Sequence, residues 1–250
     1  MPPVLESQFN GLLLAARYAF MPNKLQYCGG DHNDQLFQYG AHNISDPLLG
    51  PLLREFETMM PYLRLIAEAN KIADPFDYRV VEAYWIGNDL LKNITLDRLY
   101  WHFVDGLKLK KKLSPEQFTK LMGEIPHDTK PHHSFHVFNL WQRTGHLNSR
   151  HTLDTMNDCR IGWGQIMGVI DNQLEILTSD LEVNDNQIIL GAPKKKNINY
   201  KFSGQGFILN PTIDDWVAFH WGFACDILTQ KQKDDLEFYT KYNLKNIKQP

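Results

Sequence analysis

The chain has 250 residues, with 26 basic and 29 acidic side chains and a formal charge of −3. Its 43% hydrophobic and 22% charged residues are typical of a folded globular protein and exclude a disordered or fibrous one. Because the charge is balanced, we expect no nucleic-acid partner. The longest apolar stretches, such as residues 11–20, are shorter than the roughly 20 residues that cross a bilayer, so we expect no membrane-spanning segment.

The amino-terminal residues and the cysteines indicate a cytoplasmic protein. Residues 1–6 lack the basic segment followed by an apolar one that directs secretion. The three cysteines, Cys28, Cys159 and Cys225, are far apart and include no C-x-x-C pair, which argues against a disulfide framework or a zinc ribbon. Histidine is more informative, because five of the ten histidines fall between residues 127 and 146.

The first 140 residues or so have apolar residues at helical spacing and predict an all-α region. The second of four such stretches contains Pro61, which we expect to kink or split the helix. Ser114 opens a further short helix, since Pro115 and Gln117 follow it in the pattern of a capping box. The four longer stretches are residues 5–20, 47–70, 75–91 and 96–103.

From Met156 onward the pattern changes to short apolar runs that are separated by turn sequences, such as Asp171–Asn172, and that predict β-hairpins. The last strand is expected over Trp216–Ala224. A capping box at Thr229 then opens a carboxy-terminal amphipathic helix. The polar segment Arg143–Asp158 is the natural linker between the two regions.

The predicted fold class is therefore α+β. An all-α helical domain of unknown role occupies residues 1–150, and a small OB-like β-barrel with a carboxy-terminal helix occupies residues 156–250. The common enzyme signatures are missing from the sequence, namely the phosphate-binding loop, the dinucleotide-binding G-x-G-x-x-G, the G-x-S-x-G elbow and H-E-x-x-H. This favours a binding protein over an enzyme.

Two segments of the second half carry a family resemblance. Residues 159–166 read C-R-I-G-W-G-Q-I, and residues 215–224 read D-W-V-A-F-H-W-G-F-A before the predicted helix. The last 95 residues or so resemble the HypC/HupF hydrogenase assembly chaperones, which carry a C-x-x-x-P-G-x-[IV] strand and a late G-D-[YW]-V-x-[VF]-H-x-G-F-A strand. Two positions differ: Cys159 is internal rather than amino-terminal, and Trp163 replaces the family's proline.

The resemblance implies a carrier of the Fe(CN)2CO unit of [NiFe]-hydrogenases, with Cys159 and His220 as the residues that hold the iron. It also implies two partners, a HypD-like maturation protein and the hydrogenase large subunit. A thiolate is a soft ligand, which suits low-spin iron with cyanide and carbon monoxide ligands. The alternatives are that Cys159 is a small buried apolar residue, that His220 is a core histidine, and that the barrel has become a protein-interaction module.

A second candidate site lies in the first half. Cys28 and His32 occur in a glycine-containing turn, and thiolate and imidazole suit zinc, iron or nickel alike. His132 and His136 are four residues apart, so a helix would hold both on one face to bind one metal ion, and an extended chain would also place them on one face, together with Ser134. These four residues support the alternative of a metal-dependent enzyme, with the β domain as its partner-binding module. Buried or surface residues without a ligand are the structural alternative, and the first half otherwise resembles an uncharacterised helical family.

Overall fold

The computed structural model describes residues 10–126, 128–141 and 152–247. Helices come first, strands begin at residue 162 and a helix ends the chain, so the α+β order of elements is confirmed. The α-helices are α1 Gly11–Lys24, α2 Asn33–His42, α3 Leu49–Arg54, α4 Met59–Ala69, α5 Tyr78–Trp85, α6 Leu96–Trp101, α7 Leu109–Lys112, α8 Pro115–Glu124, α9 His133–Phe135, α10 Leu153–Cys159 and α11 Gln230–Lys245. Shorter turns are the 3-10 turn Asp89–Asn93 and the π-helical turns His102–Gly106 and His136–Trp141.

Of the helical stretch predicted over residues 5–20, the part from Gly11 onward is confirmed as α1, and residues 5–9 lie outside the described part of the chain. The Asn10 side chain accepts hydrogen bonds from two backbone N–H groups of the first turn and so caps α1. Gly11 follows the cap because a Cβ there would collide with the carbonyl oxygen of Phe76. This close contact fixes the first helix against the segment that leads into α5.

The predicted helix over residues 47–70 is divided into α3 and α4, but Pro61 is not the cause. Pro61 lies in the first turn of α4, where a helix leaves its backbone N–H groups without intrahelical partners. A proline is therefore tolerated there, and the break precedes it. The predicted capping box at Ser114 is confirmed, with reciprocal hydrogen bonds between Ser114 and Gln117.

Seven strands follow among the residues that the structure describes. Five of them form a closed barrel in the order β1-β2-β5-β7-β6, in which β6 pairs back onto β1 and β5 runs parallel to β7. The other two form a separate hairpin between β2 and β5. The strands are β1 Gly162–Ile170, β2 Gln173–Thr178, β3 Leu181–Asn184, β4 Gln187–Leu190, β5 Lys194–Asn199, β6 Trp216–His220 and β7 Phe223–Leu228.

The single strand expected over Trp216–Ala224 is wrong, because a tight turn divides it into β6 and β7. Trp221 and Gly222, the two turn residues, have φ angles of 50° and 69°. Positive φ at both central residues is the geometry of a two-residue hairpin turn whose twist matches antiparallel strands. The chain therefore reverses directly after His220.

The predicted linker Arg143–Asp158 is also wrong in the part that the structure describes, while residues 142–151 lie outside that part. Thr152 caps α10 in a reciprocal pair with Thr155. Met156, on this helix, is buried in an apolar cluster with residues from both halves of the chain. The segment before β1 is thus a packed helix that ends at Cys159.

The two halves share one core. The largest buried cluster combines residues of α1, α4 and α5 with Ala218 and Leu228 of the barrel and Leu236 of α11. The capping box at Thr229 is confirmed, and α11 returns to the helical half, where Tyr239 donates a hydrogen bond to the carbonyl of Asn88. The division into domains at residues 1–150 and 156–250 stays a prediction. Within the described ranges, none of the helices is long and apolar enough to cross a membrane.

Candidate metal centre

Three soft-donor side chains from distant parts of the chain meet where the helical half packs on the barrel. His133 lies in α9, Cys159 is the last residue of α10 and His220 is the last residue of β6. One ligand atom of each lies within 4.8 Å of the others, and all three residues are buried. The structure thus brings together Cys159 and His220, the pair that the sequence resemblance indicates, and adds His133.

His220 has one nitrogen available for a ligand. Its Nδ1 lies 2.7 Å from the carbonyl oxygen of Tyr18. Because a carbonyl only accepts, Nδ1 carries the hydrogen and Nε2 carries the lone pair. This Nε2 is buried and has no hydrogen-bond partner among the described residues. Burial lowers the pKa of His220 to about 4, so the imidazole is neutral at pH 7, the state in which it binds metals.

His133 is held at both nitrogens. Its Nε2 lies 2.9 Å from the carbonyl oxygen of Cys159, and its Nδ1 lies 3.0 Å from the hydroxyl oxygen of Tyr84. The carbonyl again requires the hydrogen on Nε2, so Nδ1 accepts from the Tyr84 hydroxyl. Burial, with the nearby His220 as a smaller cause, lowers the pKa of His133 well below its usual value. Ligation through Nε2 requires the hydrogen to move to Nδ1, where the Tyr84 oxygen can accept it.

Cys159 is a neutral thiol in this environment. Burial raises its pKa well above the ordinary range, and the neighbouring Cys28 adds to the shift. The thiolate is the form that binds a metal, so binding releases a proton. The nearby indole of Trp221 acts in the opposite direction and lowers the pKa of this thiol. Metal binding at this site should therefore strengthen as the pH rises.

The three side chains line a cavity of about 380 Å³ between the helical half and the barrel. Its walls are aromatic near the histidines: the Trp85 ring lies 4.6 Å from the His133 ring and 5.8 Å from the His220 ring, between centroids. The cavity's carboxylates, Glu55 and Glu57, are exposed. The donors are thus an uncharged thiol and two uncharged imidazoles beside an aromatic wall. The cavity leaves room next to them for small ligands on a metal ion.

Two residues of the second predicted site border this same cavity. Cys28 lines it, and burial raises the pKa of its thiol to about 11. His136 also lines it, with Nδ1 lying 3.3 Å from the hydroxyl oxygen of Tyr62. Neither residue belongs to the group whose ligand atoms lie within 4.8 Å of one another. They form part of the surroundings of the first site.

The other two residues of the second predicted site lie apart from the cavity. His32 is partly exposed, and its Nε2 lies 3.3 Å from a carboxylate oxygen of Glu55. His132 caps α9, because its Nδ1 accepts a hydrogen bond of 3.2 Å from the backbone N–H of Ser134. Its Nδ1 also lies 2.8 Å from the Ser134 hydroxyl, and its Nε2 lies 3.1 Å from the carbonyl of Trp85. The expected pairing of His132 with His136 on one helical face is therefore not what the structure has.

The chain belongs to a family described as "Family of unknown function (DUF6390)", whose sequence model matches residues 7–250. The matched span covers both the helices and the barrel, and so it includes all three donors of the centre. Comparison with curated proteins and with solved structures gives no match.

Proposed function

We propose that this family member is a carrier of a metal fragment, of the HypC/HupF type, that binds the Fe(CN)2CO unit and delivers it to the large subunit of a [NiFe]-hydrogenase. One observation supports this most directly: Cys159 and His220, which the resemblance alone selected, lie within 4.8 Å of each other at the ligand atoms. They are far apart in sequence and come from different elements. The iron unit is cargo in this proposal, and the protein turns over no substrate.

The chemistry of the site supports this cargo. The unpartnered Nε2 of His220 is a buried acceptor, which costs about 1–3 kcal/mol unless a ligand occupies it. A thiolate and two neutral imidazoles are donors that suit iron, and the apolar cavity leaves space for diatomic ligands on the metal ion. Cys159, His220 and His133 would hold the iron, and the cyanide and carbonyl ligands would face the aromatic wall.

The strand order of the barrel supports the proposed HypC/HupF type. Counting only the barrel strands, the order is first-second-third-fifth-fourth, closed by pairing of the fourth with the first. The third and fifth strands are parallel. A five-stranded barrel is the architecture of an OB-fold, and we assign this one as OB-like with an inserted hairpin, β3–β4. A cytoplasmic location, a HypD-like maturation partner and the hydrogenase large subunit are parts of the same proposal.

Infrared spectroscopy with iron quantitation tests the proposal. The protein is purified anaerobically from a hydrogenase-producing host, and cyanide and carbonyl stretching bands are expected together with stoichiometric iron. Cys159→Ala should lose both. Cys225→Ala is the matched control, because Cys225 is also buried but is not in the donor group. Bands that persist in Cys159→Ala, or protein that never carries bands or iron, would contradict the proposal.

A metal-dependent enzyme is the second candidate, and one observation favours it. Cys28 and His136 border the cavity that the three donors line, so further titratable groups surround the metal position. A carrier gives up its iron when the iron-free large subunit is added, whereas an enzyme keeps its metal. Iron that stays with this protein after incubation with that subunit would favour the enzyme.

A further inference from the structure

The helical half contains a second, larger cavity of about 880 Å³, which we call the charged cleft. One wall is α4. The rest of the lining comes mainly from α6, the π-helical turn His102–Gly106 and α7. The proposed iron site does not use it, although Glu57, Thr58 and His136 line both cavities. Its volume falls within the range of small-molecule sites, about 300–1,000 Å³.

Two π-helical turns meet at this cleft. Each begins with a histidine that lines it, His102 in one turn and His136 in the other. Both histidines contact Tyr62: the His102 ring lies 4.4 Å from the Tyr62 ring, and His136 Nδ1 lies 3.3 Å from its hydroxyl oxygen. The π-helical turn is rare and occurs frequently at functional sites.

His102 has a buried ring nitrogen, Nε2, that is left without a hydrogen bond in the described part of the chain. The residue is 6% exposed, and its Nε2 has no hydrogen-bond partner among the described residues. Burial lowers the pKa of His102 to about 3, so the ring is neutral and offers a neutral hydrogen bond. An unsatisfied buried nitrogen on a residue that lines a cleft is an atom that a bound ligand can supply with a hydrogen bond.

Charged side chains of both signs line the cleft without direct pairing. Arg64 on α4 and Arg98 on α6 are exposed, and so are the lysines on the α7 side, Lys108 and Lys112. In the part of the chain that the structure describes, none of the charged residues that line the cleft is in a salt bridge. The basic ones are Arg54, Arg64, Arg98, Lys108 and Lys112, and the acidic ones are Glu57, Glu68, Asp97 and Asp105.

We propose that the charged cleft binds a nucleotide. Arg64 of α4 and Arg98 of α6, which both line the cleft, would hold the phosphate groups, because guanidinium groups bind phosphate through two parallel hydrogen bonds. Trp101, which is 53% exposed on the wall that carries Arg98, offers a ring for the base to stack on. The carboxylates are acceptors for ribose hydroxyls, as in dinucleotide sites.

The near balance of charge favours this class over its competitors. Five basic side chains face four acidic ones, so the cleft lacks the strongly positive field that a nucleic-acid strand requires. A simple inorganic anion would leave the carboxylates and Trp101 without a role. A nucleotide uses the basic side chains, the carboxylates and Trp101 together. Its binding is independent of the iron proposal.

Calorimetric titration of the full-length protein tests the proposal, with ADP, GDP, adenosine and inorganic phosphate as separate probes. Saturable binding of ADP or GDP is expected, with adenosine and phosphate each binding more weakly. Arg64→Gln with Arg98→Gln should lower the ADP affinity roughly tenfold or more, because each arginine makes charge-assisted hydrogen bonds. These side chains are exposed, so the fold should survive both changes.

Matched controls are available on the same elements. Lys112→Gln should weaken ADP, whereas Lys111→Gln, one residue earlier on α7 but not lining the cleft, should not. Trp101→Ala should weaken ADP and adenosine but leave phosphate unchanged, with Phe238→Ala as the exposed aromatic control. Absence of saturable ADP and GDP binding, or ADP binding that ignores Arg64 and Arg98, would overturn the site. Phosphate binding as tight as ADP, unchanged in Trp101→Ala, would overturn the nucleotide class.

Discussion

The two cavities share Glu57, Thr58 and His136 but differ in their chemistry. The metal centre consists of neutral, buried donors that come from both halves of the chain, whereas the charged cleft carries exposed charged side chains of the helical half alone. The first site therefore exists only when α9, α10 and β6 are packed together. The second depends on the relative position of α4 and α6 and on the surface charges that they carry.

The difference also lies in how water affects each site. Around His133 and His220, burial sets the protonation state, and salt in the solvent has little access to the donors. At Arg64 and Arg98, the charges are permanent and screened by solvent ions. Binding in the cleft should therefore weaken with ionic strength, whereas binding at the metal centre should respond to pH.

Acidification should have the largest effect on the free energy of unfolding, because buried neutral histidines line both cavities. Burial lowers the pKa of His102 and His132 to about 3 and that of His220 to about 4, and the pKa of His133 also falls well below its usual value. Below the ordinary pKa of 6.5 the unfolded chain binds protons that the folded chain does not, so stability falls as the pH drops. Each histidine costs roughly 1.4 kcal/mol per pH unit in this window.

Urea unfolding at pH 7.5, 6.5, 5.5 and 5.0 measures this effect. The four histidines together should remove several kcal/mol between pH 6.5 and 5.5, which is a large part of a typical stability of about 5–15 kcal/mol. The slope becomes small as the pH approaches 7.5, because the same groups are then almost entirely neutral in the unfolded chain as well. A free energy of unfolding that is constant from pH 7.5 to 5.0 would contradict the burial of neutral imidazoles in both cavities.

Two neighbouring histidines separate structure from ligation. His132→Gln should lower the free energy of unfolding by about 1–3 kcal/mol, since it disturbs the cap of α9 and the hydrogen bond to the carbonyl of Trp85. His133→Gln should have a similar cost in stability but should also lower iron affinity by at least about 100-fold, since a ligand is lost. Iron quantitation on folded protein distinguishes the two variants. Equal iron affinity in both would remove His133 from the site.

Two stacked tyrosines, of which one contacts His133 and the other His136, provide a finer comparison. Tyr84→Phe removes the hydroxyl that contacts Nδ1 of His133, and we expect iron affinity to fall roughly 10–100-fold. Tyr62→Phe is the matched control, because its hydroxyl contacts His136, which is not in the donor group. Both rings are fully buried and stack with centroids 5.3 Å apart. An identical loss of iron affinity in the two variants would indicate a packing effect and not a contact to a ligand.

Local signals predicted much of the fold. The capping boxes at Ser114 and Thr229 were readable because their hydrogen bonds lie within four residues. The turn at Trp221 was missed because an aromatic residue at positive φ is uncommon and because the apolar run continues through it. The helix α10 was missed because its segment is polar, and its burial depends on contacts with the hairpin β3–β4.

The site was predictable only in part, for a geometric reason. Cys159 and His220 were found through their sequence motifs, but His133 was not. The spacing rule for a regular helix favoured His132 with His136, yet α9 ends after three residues and His136 opens a π-helical turn. Residues four apart then no longer share one face as they do in a regular α-helix. Nothing in the local sequence indicates which of the adjacent histidines faces the barrel.

Cys28→Ser should have the smallest effect on iron affinity, and it tests whether Cys28 belongs to the metal centre. Cys28 borders the cavity, but it does not belong to the group of donors within 4.8 Å of one another. We expect iron affinity to change by less than about threefold, because a serine of similar size keeps the cavity wall without contacting the metal ion. Iron titration beside Cys159→Ser, the same change at a proposed ligand, gives the scale. A loss in Cys28→Ser as large as in Cys159→Ser would make Cys28 a ligand and would give the helical half two of the four donors.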